Sequence, residues 1–317
     1  MFSLNAFLEA AEEKKIQMDA AMAVQGGTIL GLARSSGEIE HNVFSVAKSY
    51  LSTAIGMAMD EGLLKFEDKP VDFFADILPD SLDERWNKVT LYNLLTMTTG
   101  HGEQLLMAKE RRVLRGEVEG DPSITDQMKK EWMIYAFTRP MVYEPGQQFS
   151  YGNLAPYTAG RMVEKVTGMT VRDYLYEKLW KPMGYKKPEW KTDPQGHIFP
   201  PSDLFLDITN MAALGQIYLN KGVYKGHRYL SEDWVKAATS IQVPSVEINP
   251  CGPAADEGCG YGFYFWMNKG DGFRAYGRES QFVLVLPKKD AVIVTQAMHS
   301  NCQEVLDLIW EYLEPQL

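Results

Sequence analysis

Cysteine and histidine are scarce in this sequence, and their scarcity limits the redox and metal chemistry open to it. The 317 residues include only three cysteines and five histidines. The cysteines are odd in number and lack paired metal-ligand spacing, and the histidines are scattered, so we expect reduced thiols, no metal site and no cofactor. The residues in question are Cys251, Cys259, Cys302, His41, His101, His197, His227 and His299.

Long apolar runs and an excess of positive charge are also missing. No run approaches the roughly 18 apolar residues that span a bilayer. Residues 1–10 have neither the basic start nor the apolar core of a secretory signal, so we expect a cytoplasmic protein with no membrane partner. The 32 Lys and Arg against 42 Asp and Glu give a net charge of -10. Phosphate binding needs a basic face, so nucleic acid is not an expected partner.

The distribution of apolar residues predicts a mixed α/β (α+β) fold. At this length the chain forms one large domain or two interleaved ones. Runs typical of β-strands lie near both ends of the chain, and the middle is mostly helical in pattern. We therefore predict one antiparallel sheet built from both chain ends and flanked by helices, in a domain of residues 1–85 with 205–317, with residues 86–204 as an inserted helical domain. The predicted strands lie within residues 21–33, 261–266, 281–286 and 291–295.

One stretch combines a helix with a serine and a lysine at its start. Gly62 follows this stretch and is the predicted C-cap of the helix. A helix that begins just after Phe44 places Ser45 at its N-terminus, where backbone N–H groups favour a developing negative charge. Lys48 lies one turn further on the same face. Apolar or small residues recur at helical spacing at Val46, Leu51, Ala54, Ile55, Ala58 and Met59.

The pair Ser45 and Lys48 has two interpretations when it is taken alone. A serine hydroxyl becomes a good nucleophile when a base takes its proton, and a lysine is such a base when burial or nearby cations keep it neutral. However, Ser-x-x-Lys often occurs by chance, so the pair taken alone favours an ordinary N-cap at Ser45 with a solvated Lys48. Further along, Tyr151-Gly152-Asn153 is likewise open, since Tyr151 alone reads as an interfacial aromatic and Asn153 as a turn residue.

The order of three motifs changes this balance. Ser45-x-x-Lys48, Tyr151-x-Asn153 and the segment 276–281 together resemble the serine β-lactamase and penicillin-binding-protein superfamily. The resemblance is closest to the class C β-lactamase-related hydrolases, which include esterases, D-aminopeptidases and nylon-oligomer hydrolases. It implies a β-lactamase/transpeptidase-like fold. Residues 94–100, 144–146 and 215–220 look like family landmarks with structural roles.

The resemblance also implies roles for individual residues. Ser45 would be the acylated nucleophile, Lys48 its base or proton relay, and Tyr151 a general base or acid. Asn153 would orient Lys48 and the substrate carbonyl. The backbone N–H groups of Ser45 and of Arg278, the residue after Gly277, would form the oxyanion hole.

The third motif departs from the family pattern. β-Lactamases carry Lys-Thr-Gly here and many esterase relatives carry His-x-Gly, whereas this chain has Ala275-Tyr276-Gly277. Arg274 or Arg278 would have to supply the missing cation. Ser280 replaces a glycine that is usual before Gln281, which would narrow the cleft.

Two aromatic residues, Trp266 and Tyr276, are candidates for contact with an apolar part of the substrate, or equally for the core. The loops 107–125 and 242–257 are the expected determinants of specificity.

These features predict a serine hydrolase that cleaves a small ester, amide or short peptide through an acyl-enzyme on Ser45. Ala275 and the lack of an export signal favour esterase-like or peptidase-like activity. One alternative is a catalytically silent binding or structural member of the same fold. A second is a true β-lactamase or D-Ala-D-Ala carboxypeptidase. The sequence leaves the oligomeric state open.

Overall fold

The computed structural model describes residues 1–35, 40–244 and 255–317. The chain divides into two compact units. The sheet unit comprises Met1–Tyr50 and Ser202–Leu317, and the helical unit comprises Leu51–Pro201. The helical unit thus begins at Leu51, well before the predicted boundary at 85/86. It ends at Pro201, close to the predicted boundary at 204/205. Cys251 and most of the loop 242–257 lie outside the described residues.

The strands of the described residues pair antiparallel throughout. Six of them form one sheet in the order β2-β1-β10-β9-β8-β7, while β3 pairs with β4 and β5 with β6. The strands are β1 Gln17–Gln25, β2 Thr28–Arg34, β3 His41–Asn42, β4 Phe205–Leu206, β5 Val223–Tyr224, β6 His227–Arg228, β7 Trp266–Met267, β8 Phe273–Gly277, β9 Gln281–Leu286 and β10 Ala291–Met298.

The helices include both long and very short elements. They are α1 Asn5–Glu13, α2 Val46–Asp60, α3 Pro70–Phe73, α4 Leu91–Leu95, α5 Ala108–Leu114, α6 Asp126–Lys130, α7 Trp132–Thr138, α8 Leu154–Thr167, α9 Val171–Leu175, α10 Ile208–Leu219, α11 Glu232–Ala238 and α12 Cys302–Leu308. Single π-helical turns continue α9 and α12 at Tyr176–Trp180 and Ile309–Leu313. Among residues 1–35, 40–244 and 255–317 there is no helix with the length and apolarity that a bilayer crossing requires.

The large sheet joins the two ends of the chain. β1 pairs with β10 from Gln17 opposite Met298 to Gln25 opposite Ala291. Every residue of β9 is buried, so side chains on both faces of this strand are covered. On one face α10 approaches closely, because a Cβ on Gly215 would lie 2.5 Å from Val292 Cγ1. The predicted antiparallel sheet built from both chain ends is confirmed, and Gly215 has the structural role expected of its landmark.

The prediction of a strand at 261–266 is wrong over most of its length. The aromatic run folds back on itself: Tyr261 bridges to Trp266, and the Gly262 N–H donates to the Phe265 carbonyl at 2.8 Å. Tyr264 has a positive φ of 64°, which a continuous strand does not allow. The turn presents the Tyr264 carbonyl to the Ser49 hydroxyl of α2, which donates to it at 2.7 Å.

The helical unit is organised around α8. The first ten residues of this helix are all buried, and Gly168 ends it in the left-handed conformation that glycine adopts without strain. The helix also carries a charge into the interior, where Arg161 pairs with Glu131 at 2.8 Å. Burial of a charged group is costly unless it is paired in this way. The unit therefore has its own apolar core and its own internal ion pair.

Candidate active site

Ser45 lies at the N-terminus of α2, as predicted. The N–H of Val46 donates to the Val43 carbonyl at 3.1 Å, and the N–H of Lys48 donates to the Ser45 carbonyl at 3.0 Å. These bonds form a turn that continues directly into the helix. Backbone N–H groups without a partner in the helix point out of this end, where they favour a developing negative charge.

Lys48 is buried against Ser45. Its Nζ donates to the Ser45 Oγ at 2.8 Å, and the residue is only 2% exposed. Burial opposes the charged form of an amine, and the uncharged form is the one that can take a serine proton. The solvated lysine of the alternative interpretation is therefore excluded.

A network of contacts fixes the turn before Ser45. Phe44 has a positive φ of 46°, and its N–H donates to the Asn42 Oδ1 at 2.9 Å. The Asn42 Nδ2 donates in turn to the Asp203 Oδ1 at 3.4 Å. The N–H of Val43 donates to the Leu204 carbonyl at 2.8 Å. Sequence reasoning missed Asn42, although asparagine is typical of turns in which a side chain bonds the backbone two residues on.

Gly277 brings the third motif against this turn. A Cβ at this position would lie 2.3 Å from the Val43 carbonyl oxygen and 3.2 Å from the Ser45 nitrogen. Contacts under 3.0 Å are incompatible with a real side chain, so glycine is required by close approach of two backbones. The end of β8 therefore lies beside the nucleophile turn, and Arg278 is the next residue along the chain.

The cation expected in the third motif is not supplied by a neighbouring side chain in β8. Ala275 is buried opposite Val283 of β9. Arg274 is fully buried, and its Nη1 donates to the Met267 carbonyl at 2.6 Å. Arg278 extends to the surface, where its Nε donates to Glu279 at 3.1 Å.

Trp266 and Tyr276 lie in a buried aromatic cluster of the sheet unit. Tyr276 stacks on Phe282 with ring centroids 5.1 Å apart, and Trp266 meets both Tyr276 and Tyr261 edge to face. Each of the two candidate residues is nearly inaccessible. This packing gives both a role in the core, and their contact with substrate stays a prediction.

Tyr151 and Asn153 lie in the helical unit, just before α8. Asn153 is buried, and its Nδ2 donates to the Leu106 carbonyl at 3.1 Å. Its backbone N–H donates to the Leu105 carbonyl at 2.9 Å. Tyr151 is also buried, beside Phe149. Because the Asn153 Nδ2 is bonded to the Leu106 carbonyl, Oδ1 is the end of the amide that can accept a hydrogen bond.

The landmark segment 94–100 braces the loop that carries Tyr151. The Met97 carbonyl accepts from the Ser150 N–H, and the Thr98 carbonyl accepts from the Gly146 N–H, both at 2.8 Å. Gly100 has a φ of 101°, and a Cβ there would lie 2.5 Å from the Tyr143 carbonyl oxygen. Residues 94–100 and 144–146 thus have the structural roles that the resemblance implied.

Within the sheet unit the structure brings together Ser45, Lys48 and Gly277, with Arg278 adjacent. Tyr151 and Asn153 belong to the other unit, and their joint action with Ser45 stays a prediction.

Known proteins resemble this chain over part or nearly all of its length. A 6-aminohexanoate-dimer hydrolase from Paenarthrobacter ureafaciens is 22% identical over 292 residues, covering 87% of this chain and 71% of that protein. A lovastatin esterase from Penicillium rubens is 30% identical over 142 residues, covering 42% of this chain and 32% of the esterase. Among solved structures, an octameric penicillin-binding protein homologue from Pyrococcus abyssi superposes with a TM-score of 0.71 at 20% identity, covering 99% of this chain and 77% of that one.

The structural likeness shows that the fold is shared with penicillin-binding-protein homologues, as the motifs predicted. A family model matches the chain over a similarly long range. The family described as Beta-lactamase matches residues 9–304. The matched range includes Ser45, Lys48, Tyr151, Asn153 and Gly277, so the chain belongs to the beta-lactamase family.

Proposed function

We propose that this protein is a serine hydrolase that cleaves a small ester or amide through an acyl-enzyme on Ser45. The observation that carries the proposal is the 2.8 Å hydrogen bond between the Lys48 Nζ and the Ser45 Oγ, in which the lysine is buried. A nucleophile within hydrogen-bond reach of its base is the arrangement that covalent catalysis requires. The names of the two curated relatives, a hydrolase and an esterase, support the same reaction class.

In the acylation step, the Lys48 Nζ takes the Ser45 hydroxyl proton while Oγ bonds to the substrate carbonyl carbon. Negative charge develops on the carbonyl oxygen, and the backbone N–H groups of Ser45 and Arg278 stabilise it. The bond to the alcohol or amine then breaks, and the leaving group receives the proton from Lys48. This step leaves Ser45 acylated and Lys48 neutral.

In the deacylation step, water attacks the acyl carbon and gives a proton to neutral Lys48, or to Tyr151 in its phenolate form, which a neighbouring lysine charge would favour. The bond from carbon to Oγ breaks, and the proton returns to the serine. Asn153 orients the lysine and the carbonyl through its amide. The assignments of Tyr151 and Asn153 rest on the place of their motif in the chain.

The third motif favours neutral substrates over β-lactams. A β-lactam carries a carboxylate that a nearby cation orients. Ala275 offers none, Arg274 is bonded to the Met267 carbonyl, and Arg278 is directed to Glu279 at the surface. A neutral ester or amide needs only the backbone donors, so esterase-like or peptidase-like activity fits the site better.

The proposal is tested by turnover of a panel of p-nitrophenyl esters, D-amino-acid amides and nitrocefin, together with labelling by a fluorophosphonate. We expect ester or amide turnover and labelling by the wild-type protein, and neither by Ser45→Ala. A protein that is neither labelled nor active on any of these substrates would instead be a silent member of the fold.

The location we propose is the cytoplasm. Cys259 and Cys302 are free thiols in the described part of the chain, and reducing compartments preserve free thiols. Fractionation of the source cells would test this, since recovery from an extracellular or periplasmic fraction contradicts it.

A further inference from the structure

We propose that the side chains of Ser280, Gln281 and Thr295 form a clamp that holds the N–H of Arg278 in position to stabilise the oxyanion. All three are positioning residues, because they act through the backbone of the turn and not on the substrate. The inference rests on the proposed function, in which Arg278 is an oxyanion donor. We define the oxyanion turn as residues 278–280, between β8 and β9.

The clamp fills a gap in the sheet. Backbone pairing between β9 and β10 ends at Phe282 opposite Thr295, but β10 continues to Met298. Beyond this point two side chains take the place of a backbone partner. The Gln281 Nε2 donates to the Ala297 carbonyl at 2.6 Å, and the Ser280 Oγ donates to the His299 carbonyl at 2.9 Å. The oxyanion turn is thereby tied to the last residues of β10 and the loop that follows.

The turn requires such support because its backbone is strained. Glu279 and Ser280 have positive φ values of 59° and 63°, in the left-handed region that residues other than glycine rarely adopt. Two hydrogen bonds act on the carbonyls of these two residues. The Gln281 Nε2 donates to the Glu279 carbonyl at 3.1 Å, and the Thr295 Oγ1 donates to the Ser280 carbonyl at 2.9 Å.

The three side chains are shielded from water. Ser280 and Thr295 are fully buried, and Gln281 is nearly so. Hydrogen bonds in such surroundings are electrostatically strong, and they persist only when the geometry is kept. The hydroxyl of Ser280 is bonded to the His299 carbonyl, and narrowing of the cleft by this residue stays a prediction.

The oxyanion turn also adjoins the turn that carries the nucleophile Ser45. Gly277 is in backbone contact with Val43 and Ser45, so the residue after it follows the nucleophile turn directly. An oxyanion donor acts only within about 2.7–3.1 Å of the developing charge, and the loss of one donor typically costs about 10²–10³ in rate. A small rotation of the turn would therefore lower the rate without altering Ser45 or Lys48.

The test uses an ester and its thionoester, which share the acyl and leaving groups and differ only in the carbonyl oxygen or sulfur. Sulfur is a larger and weaker hydrogen-bond acceptor, so a well-placed pair of N–H donors favours the oxygen substrate. The variants are Thr295→Val and Gln281→Met, each of which removes hydrogen-bonding groups at similar size. Thr239→Val is the matched control, since its hydroxyl donates to the Val235 carbonyl of α11.

We expect kcat for the ester to fall about 10- to 100-fold in Thr295→Val and Gln281→Met, with KM nearly unchanged, as for a partly displaced donor. In these two variants the ratio of ester to thionoester kcat/KM should also fall. In the control Thr239→Val the ratio should stay at the wild-type value. Partial unfolding lowers both rates by the same factor, so a general loss of structure does not move this ratio. Ser280→Gly, which removes the hydroxyl but relieves the positive φ, should show a smaller effect than Thr295→Val.

Two outcomes overturn the inference in different ways. An unchanged ratio in Thr295→Val and Gln281→Met, with an active wild-type protein, means that the clamp does not position the donor. Absence of Ser45-dependent ester turnover in the wild-type protein overturns the proposed function, and the catalytic role of the clamp with it.

Discussion

The side chain of Asn42 holds the backbone of Phe44, the residue immediately before Ser45. The Phe44 N–H donates to the Asn42 Oδ1 at 2.9 Å, and the φ of Phe44 is 46°. A phenylalanine in this region of φ is strained by about 1–3 kcal/mol, and it persists only where neighbouring groups fix it. The nucleophile is therefore positioned by a side chain three residues upstream.

We expect Asn42→Ala to lower kcat about tenfold with little change in KM, the effect of losing one positioning hydrogen bond. Phe44→Gly removes the strain, so Asn42→Ala should cost less in that background. The measurement is a double-mutant cycle on ester turnover. Asn220→Ala, at the exposed end of α10, is the control. If Asn42→Ala lowered kcat equally in the wild-type protein and in Phe44→Gly, Asn42 would not act by holding the strained Phe44 backbone.

Removal of either member of the Ser45 and Lys48 pair should abolish activity. Residues that act as one unit are not additive, so we expect Lys48→Ala to be nearly as damaging as Ser45→Ala, each by about three orders of magnitude or more. The double variant should be no worse than Ser45→Ala alone. Rates of ester hydrolysis and fluorophosphonate labelling measure this, with the exposed Lys221→Ala as control. Activity within about tenfold of wild type in Ser45→Ala would exclude it as the nucleophile.

Short-chain aryl esters should be hydrolysed with a much higher kcat/KM than nitrocefin or benzylpenicillin. We expect Ala275→Lys to shift the ratio toward β-lactams by at most about one or two decades, the contribution of a single charged contact. Because Ala275 is buried, the folded fraction of this variant is measured alongside by thermal unfolding. Efficient nitrocefin hydrolysis by the wild-type protein that is lost in Arg278→Ala would contradict the preference, since Arg278 would then replace the missing cation.

His101 makes the stability of the helical unit sensitive to acid. Burial lowers the pKa of its imidazole to about 4, and Nδ1 is paired with the Thr99 hydroxyl at 2.8 Å. An unfolded histidine titrates near 6.5, so between these values the unfolded chain takes up a proton that the folded chain excludes. The free energy of unfolding should thus fall as the pH decreases from about 6.5 to about 4, by up to about 3 kcal/mol from this residue.

The measurement is urea unfolding at pH 7 and pH 4.5 of wild-type protein and of His101→Gln. Carboxyl groups titrate in both proteins, so the difference between the two pH dependences isolates the histidine. We expect a shallower loss in His101→Gln and an unaltered one in His227→Gln, whose side chain is exposed. If the free energy of unfolding depended on pH equally in all three proteins, His101 would not be the source of the acid sensitivity.

Local sequence patterns were sufficient for features that local physics determines. The helix after Ser45 begins at Val46 as predicted, and Gly62 follows it with a φ of 73°. The helical unit contains caps of the same local kind, since Thr90 caps α4 through a reciprocal bond with Asn93 and Gly168 ends α8. In each case the residue type acts on groups within four positions of itself. Such interactions can be read without knowing the rest of the fold.

The features that escaped prediction depend on contacts between distant segments. The turn at Tyr264 has a strand-like composition, but a Cβ on Gly262 would lie 2.1 Å from the Ala238 carbonyl oxygen. The close approach of Gly262 to Ala238 fixes the turn, and no local sequence pattern predicts this contact. The burial of Lys48 and the bond from Ser280 to the His299 carbonyl are of the same kind. Only the resemblance to a family linked such residues to a site.

The pairing of β1 with β10 has a consequence for the order in which the molecule matures during synthesis. β1 emerges from the ribosome before the helical unit, yet its partner β10 is completed only when Met298 has been added. Leu51–Pro201 is available in full long before that, and domains generally fold as units. We therefore expect the helical unit to fold on the nascent chain while the edge of β1 that pairs with β10 still lacks its partner strand. The nucleophile helix would acquire its surroundings in the sheet unit last, so the hydrolase would be inert until β10 has been synthesised.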